Sequence, residues 1–389
     1  MGSVGKALLA LLLFLAACST RLPVTGVDAY QRHDYATAIA VFKAKAQNPN
    51  DKNYVLYNLA ILSAAMAAGD YETAQKAALE AQKMMWSDVG AGRGQASLIS
   101  AEALKVFKGE PFEKAMASVY SGIIFFNQGD LDNARAAFAK ALLAIKQKEP
   151  PHQEDFALAY ALQAYVLLKL KDEDNARISL EKAQKAESKN LYLVPEQLRK
   201  SNALILVELG RAPRKLRTGP GASLIKWERS RYPERSVEVF VDDKGEGWAA
   251  RAGDLTEQAQ TKGKVAKDTV QVVKGATREA GAVTTVIAAD LAAQGVKNAG
   301  WVALGAGLFT ALNQSQADVR QWELLPDLIQ LLPLRLPEGT HSLRLVFFDE
   351  SGNPIPGYDQ TLSDVAVEKG KDRIYLFRSG AYTKGPGKY

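Results

Sequence analysis

One short pattern recurs four times along the first half of the chain, and it constrains the fold more than any other feature. It consists of a turn with an acidic residue, an alanine, a residue four later that is large in three copies, and then a small or polar residue. The copies read His33-Asp34-Tyr35 with Ala38 and Phe42, Gly69-Asp70-Tyr71 with Ala74, Ala78 and Ala81, Gly129-Asp130-Leu131 with Ala134, Phe138 and Ala141, and Lys171-Asp172-Glu173 with Ala176, Leu180 and Ala183. Each accompanies apolar residues at helical period. The turn residue permits a tight reversal between two helices. The alanines let the helices approach closely, and the large residue fills the gap to the next pair. A unit of this kind cannot bury its hydrophobic face alone, so copies must stack. Asp34, Asp70 and Asp130 read as the N-terminal turns of helices.

This pattern resembles the tetratricopeptide repeat, and the third copy matches best, with Gly122 at the small position of its first helix. The alanines at 38, 74, 134 and 176 are spaced by 36, 60 and 42 residues, so the array is irregular. Residues 90–110 read as an insertion with a loop and an extra helix. The resemblance implies a mostly α fold: a TPR-like α-solenoid over residues 28–209 with a concave face, followed by a small C-terminal α+β or antiparallel β domain. Counted from the turns, the concave side carries Leu59, Met66, Met116, Val119, Ile123, Phe126, Leu158, Tyr165 and Leu168. Leu59, Met66, Met116, Phe126 and Tyr165 form the candidate partner groove. Its apolar lining suits an amphipathic helix or another domain rather than a charged peptide terminus. On the sequence alone, the alternative that these residues are plain core stays open.

At the N-terminus an apolar run from Ala7 to Ala17 follows a single Lys6 and ends in Leu15-Ala16-Ala17-Cys18. A basic start, a short apolar core and small residues at the cut are the marks of a secretory signal rather than a membrane span. The tetrad resembles the bacterial lipobox. That resemblance implies a signal peptide over residues 1–17, lipidation of Cys18, and an acylated tether over residues 18–27. Ser19 follows the cysteine in place of the aspartate that retains such proteins at the inner membrane, which implies the outer membrane, facing the periplasm. Two or three acyl chains anchor stably where one does not, at roughly 0.8 kcal/mol per buried methylene. Cys18 is the only cysteine, so no intrachain disulfide is available.

The net charge of +6 is concentrated in one segment. Residues 211–235 carry Arg211, Arg214, Lys215, Arg217, Lys226, Arg229, Arg231 and Arg235 against Glu228 and Glu234. Arg211, Arg214, Lys215, Arg217, Arg229 and Arg231 form a candidate basic surface for an anionic envelope component, at about 1 kcal/mol per cation near an anionic surface. The bland reading is a solvated strand face. Delivery to the periplasm argues against nucleic acid. Within this junction, residues 210–282, Val237, Val239 and Val241 alternate and stop at Asp242-Asp243-Lys244-Gly245, a strand followed by a turn. Gly210 reads as the end of the last helix, and residues 254–278 as a polar helix facing solvent.

The last segment, residues 283–389, opens with an apolar run at 299–312, too short to span a bilayer and read as a buried helix. Candidate strands follow at 329–336, 342–348, 365–368 and 374–378, forming a small antiparallel sheet or sandwich, with a frayed tail from Thr383. Between them lies the best polar constellation, Asp318, Arg320 and Trp322. On an extended segment these share one side, which suggests an ion pair with the tryptophan packed on the guanidinium, a structural staple between helix and sheet.

Three blocks together resemble landmarks of a largely uncharacterised family of bacterial tetratricopeptide-repeat outer-membrane lipoproteins. They are Gly109-Glu110-Pro111-Phe112-Glu113-Lys114, Gly210-Arg211-Ala212-Pro213-Arg214-Lys215, and Ala317-Asp318-Val319-Arg320 with Trp322 and Leu325-Pro326, followed by Leu336-Pro337-Glu338-Gly339. Val319 stands where the resemblance leads one to expect threonine. The family supplies no catalytic residues to carry over, and neither a metal nor a cofactor is expected. The three histidines (His33, His152, His341) are scattered, and no P-loop, nucleophile elbow or HExxH is present. The expectation is a non-enzymatic, lipid-anchored scaffold or adaptor that binds a protein partner in the periplasm or outer membrane. The family further hints at cell-envelope or peptidoglycan assembly. The competing class is a structural subunit of an outer-membrane export, pilus or flagellar complex.

Overall fold

The computed structural model describes residues 21–87, 106–146, 156–187, 193–218, 224–262 and 317–380. Cys18, the bulk of the 90–110 insertion, the 299–312 helix and the tail from Thr383 lie outside the described residues. The N-terminal helices are α1 (Val24–Gln31), α2 (Tyr35–Lys45), α3 (Tyr54–Ala68), α4 (Tyr71–Met85), α5 (Pro111–Asn127), α6 (Leu131–Ile145), α7 (Ala157–Lys169), α8 (Glu173–Ala186) and the short α9 (Pro195–Lys200). They pack in pairs, α1 on α2, α3 on α4, α5 on α6 and α7 on α8, and each pair's second helix packs on the next pair's first. Helix α1 starts inside the stretch read as tether. Among the described residues no helix is long and apolar enough to cross a membrane.

All four pairs use one joint. His33, Gly69, Gly129 and Lys171 take φ of 61°, 71°, 81° and 62°. The left-handed residue lets the next N–H turn back onto the finished helix: Asp34, Asp70, Asp130 and Asp172 each donate to the carbonyl five residues earlier at 2.9 Å. Each aspartate then caps the second helix, accepting from the N–H of Thr37, Thr73, Asn133 or Asn175. Ala38, Ala74, Ala134 and Ala176 are fully buried. A Cβ on Gly122 would stand 2.3 Å from the Phe138 ring, and one on Gly26 would stand 2.6 Å from Phe42. In the other two copies the residues at the same sixteen-residue offset are Leu62 with Ala78 and Ala164 with Leu180, so large and small trade places while the joint keeps its volume.

The strands are β1 (Ala203–Leu209), β2 (Arg214–Thr218), β3 (Leu224–Glu228), β4 (Ser236–Val241), β5 (Lys244–Trp248), β6 (Ala250–Asp254), β7 (Leu328–Leu334), β8 (Gly339–Phe348), β9 (Gln360–Val367) and β10 (Arg373–Arg378), with α10 (Leu255–Lys262) after β6. They form an inner sheet ordered β10-β1-β7-β6, an outer sheet ordered β5-β4-β8-β9, and a β2-β3 hairpin. The result is three layers: helices, inner sheet, outer sheet. Alternation along β1 shows why. Ala203, Ile205, Val207 and Leu209 enter the core between the sheets, whereas Leu204 and Leu206 enter the core shared with the helices.

Three expectations need correction. Residues 203–209 form not the end of the last helix but a central strand buried on both faces. A short run with six apolar residues in seven is indistinguishable from a buried helix segment by period, and here Gly210 at φ 73° ends a strand. The sheet region is not purely antiparallel, because β10 runs parallel to β1. Helix α10 does not face solvent: Leu255 and Ala259 are fully buried, and it packs on α5 and β3. The strand ending at Val241 is as expected. Asp242 and Asp243, at φ 49° and 63°, make the two-residue turn into β5.

Candidate functional site

Leu59, Met66, Met116, Phe126 and Tyr165 are all at most 2% exposed. They are not an open groove. Strand β10 packs on α3 and α5, β6 on α7 and α10 on α5, so the chain's own sheet layer covers this face. Phe126 and Tyr165 stack at 5.1 Å within it. An apolar lining is what a covering domain requires, and the sequence did not say that the domain is the chain's own.

At this interface the distinctive blocks converge. Glu110 caps α5 in a capping box with Glu113. The Glu113 carboxylate accepts from the Glu110 N–H at 2.6 Å and from the Trp322 N–H at 2.5 Å. Lys215 reaches Glu110 at 2.6 Å, with both side chains 2% exposed. Its backbone N–H donates to Gln321. Arg320 pairs with Asp318 at 2.7 Å and donates to Asn53 Oδ1 at 3.1 Å. Trp322 donates from Nε1 to Ser63 Oγ at 2.9 Å and meets the Tyr120 ring edge-on. Tyr120 donates to Glu208, which pairs with Arg378, and Arg378 donates to the Leu325 carbonyl.

This buried polar hub holds residues 317–325 between the repeats and the sheet. Burial, then the neighbouring Glu110, pushes Glu113 up to about 7. Burial works against the Lys215 charge, but Glu110 and Asp318 outweigh it and hold the amine above its usual range. The expected Asp318–Arg320 ion pair is present, but the ring beside the Arg320 guanidinium is Phe107, at 5.7 Å, rather than Trp322.

The basic surface breaks up. Lys215 is buried in the hub. Arg229 pairs with Asp327 at 2.5 Å and Asp254 at 2.6 Å. Arg217 donates to the Ala317 carbonyl at 3.0 Å. Arg211, Arg214 and Arg231 remain exposed on the surface. Glu208, Tyr120, Arg378 and Asp327 were missed in the sequence. Their one legible signal was Glu208, a lone charge inside an apolar run.

A cleft of about 320 Å³ lies where α1 meets the ends of β1 and β10. Tyr30, His33, Arg211, Arg231, Glu234 and Glu323 are among its walls. Glu234 Oε1 accepts from the Gly210 N–H at 2.9 Å and from Ser379 Oγ, while Oε2 has no hydrogen-bond partner among the described residues. Burial, then the Arg378 charge, pushes His33 down to about 4. Burial raises Glu323, partly offset by Arg21. Among the described residues no group of three or more His, Cys, Asp or Glu is arranged to hold a metal ion. No known family model and no curated protein matches the chain.

Proposed function

We propose that this protein is a non-enzymatic, lipid-anchored adaptor of the bacterial outer membrane, facing the periplasm. In this reading its helix pairs form a solenoid of the tetratricopeptide kind that presents its outer surface to a protein partner. The lipobox-like tetrad ending at Cys18 supports the anchor, and the four repeated joints support the solenoid.

One observation carries the partner site. With the inner face covered by the sheet, an apolar groove of about 540 Å³ remains between α6, α7 and α8. Leu143 and Ile178 are 60% and 43% exposed there, beside Leu142, Tyr160 and Leu167 and under Arg135, Lys146 and Lys182. Exposed leucine and isoleucine with a basic rim fit the apolar face of an amphipathic helix flanked by acidic residues.

The test is photocrosslinking in cells from positions 143 and 178, with Tyr165 as the covered control. The adaptor reading requires one partner protein crosslinked from both outer positions, lost on Arg135→Glu with Lys182→Glu, and only intrachain products from 165. Crosslinks from 143 and 178 to a second copy or within the chain refute it. Recovery in a large stoichiometric particle favours the structural subunit instead.

A further inference from the structure

The cleft beside α1 plays no part in the adaptor reading, yet carboxylates and guanidiniums line it together. Glu234 is 3% exposed and lines the cleft, and its Oε2 has no hydrogen-bond partner among the described residues. A buried carboxylate oxygen without a donor is costly, and an ammonium donor from a ligand would relieve it. Glu323, half-buried, is a second carboxylate that lines the cleft.

Cations line the same cleft: the buried Arg378, and Arg211 and Arg231. Arg211 and Arg231 are exposed and form no ion pair with a described residue, in a protein whose other buried or half-buried cations in this region are engaged. Tyr358, also on the cleft, feels both the Glu234 and the Arg211 charge, so anion and cation share one small space. About 320 Å³ is at the small end of ligand pockets, which suits a headgroup-sized molecule rather than a peptide.

Location selects among zwitterions. Tyr30, Gln31 and His33 line the cleft, and Arg21 lies close enough to Glu323 to influence it. Two residues separate Arg21 from Cys18, so three steps of chain span at most about 11 Å.

We infer that this cleft binds a phosphoethanolamine headgroup, its phosphate held by Arg211 and Arg231 and its ammonium by Glu234 and Glu323. The assignment of the bilayer as the source rests on the anchor at Cys18, whereas the site itself does not. Binding there would set the orientation of the whole molecule on the membrane, with the outer groove left free.

The experiment is calorimetric titration of the full chain in detergent micelles with O-phosphoethanolamine, against glycerol 3-phosphate, ethanolamine and D-alanine. Saturable binding of phosphoethanolamine is expected, weakened about ten-fold or more by Arg231→Ala and by Glu234→Gln. The glutamine keeps the acceptor for Gly210 and Ser379 and changes only the unsatisfied oxygen, and Arg231 is exposed, so neither change threatens the fold. Equal binding of glycerol 3-phosphate, tighter binding of D-alanine, or no saturable binding overturns the assignment.

A Cys18→Ala chain separates the two readings. It must still bind the soluble probe, and vesicles containing phosphatidylethanolamine, but not phosphatidylglycerol alone, must compete for it. Failure of the competition overturns the bilayer source. A Cys18→Ala chain that stays in the outer membrane defeats the anchor alone.

Discussion

Replacing Lys215 with methionine tests whether the hub is a tightly balanced ion cluster. Methionine keeps most of the stem that lies beside Trp227, whose ring centre is 5.4 Å from the amine, so packing changes little. What is lost is the ammonium that pairs with Glu110, with both side chains 2% exposed. Removing one member of a buried pair costs about 3–5 kcal/mol, because the partner's charge stays buried without compensation.

The neighbourhood fixes the pH dependence. Glu113 is fully buried, already sits at about 7, and is held there against the Lys215 charge, which lowers it. Without the lysine, two adjacent carboxylates remain, and a proton is taken up that the unfolded chain does not hold above its ordinary carboxylate pKa. A folded-state carboxylate pKa above the unfolded one gives stability that is complete at low pH and lost as pH rises through the folded value. The penalty is therefore largest near pH 8 and shrinks towards pH 6, by up to about 1.4 kcal/mol per pH unit for one proton.

Urea unfolding of wild type and Lys215→Met at both pH values reads this directly. The double variant with Glu110→Gln is expected to recover more than half of the loss at pH 8. A loss below about 1 kcal/mol at pH 8, equal losses at both pH values, or strict additivity in the double variant would refute the argument.

Other outcomes follow from the joints and the titrating groups. Gly122→Ala forces a Cβ into the Phe138 ring at 2.3 Å and is expected to cost about 1–3 kcal/mol, with Phe138→Leu restoring much of it in thermal unfolding. Gly129→Ala meets no atom within 4 Å but keeps φ at 81°, so its loss of about 1 kcal/mol should not respond to Phe138→Leu. Asp130→Ala removes the cap on Asn133 and should cost about 1 kcal/mol by the same measurement. By proton NMR, His33 is expected to titrate at about 4, so its contribution to stability falls as pH drops from 6.5 towards 4. His341 is held above its ordinary value by Asp242, so its contribution falls as pH rises past that raised value. A His33 titration near 6.5 contradicts its burial against Arg378.

The repeats were legible because they are local. Asp34, Asp70, Asp130 and Asp172 satisfy N–H groups three residues away, and the alanines face a helix joined by a turn of two or three residues. Strand β4 and its turn were legible for the same reason. Strand β1 was not, because its burial on both faces erases the alternation that distinguishes a strand. The basic cluster misled because proximity in sequence says nothing about partners. Lys215 meets Glu110, 105 residues away, and Arg229 meets Asp327, 98 residues away.

The sequence by itself thus determined the helix pairs, their joints and the existence of a sheet region, since these depend on period, turn chemistry and side-chain volume within a few dozen residues. Only the tertiary structure decided that the apolar inner face is closed by the chain's own sheet. Only it brought Glu110, Lys215 and Arg320 into one buried hub, and left Glu234 Oε2 without a partner among the described residues in a cleft that Arg211 and Arg231 also line. The physical reason is that hydrophobic surface is non-directional: Tyr165 and Phe126 require cover, and nothing in their own chemistry states which surface provides it.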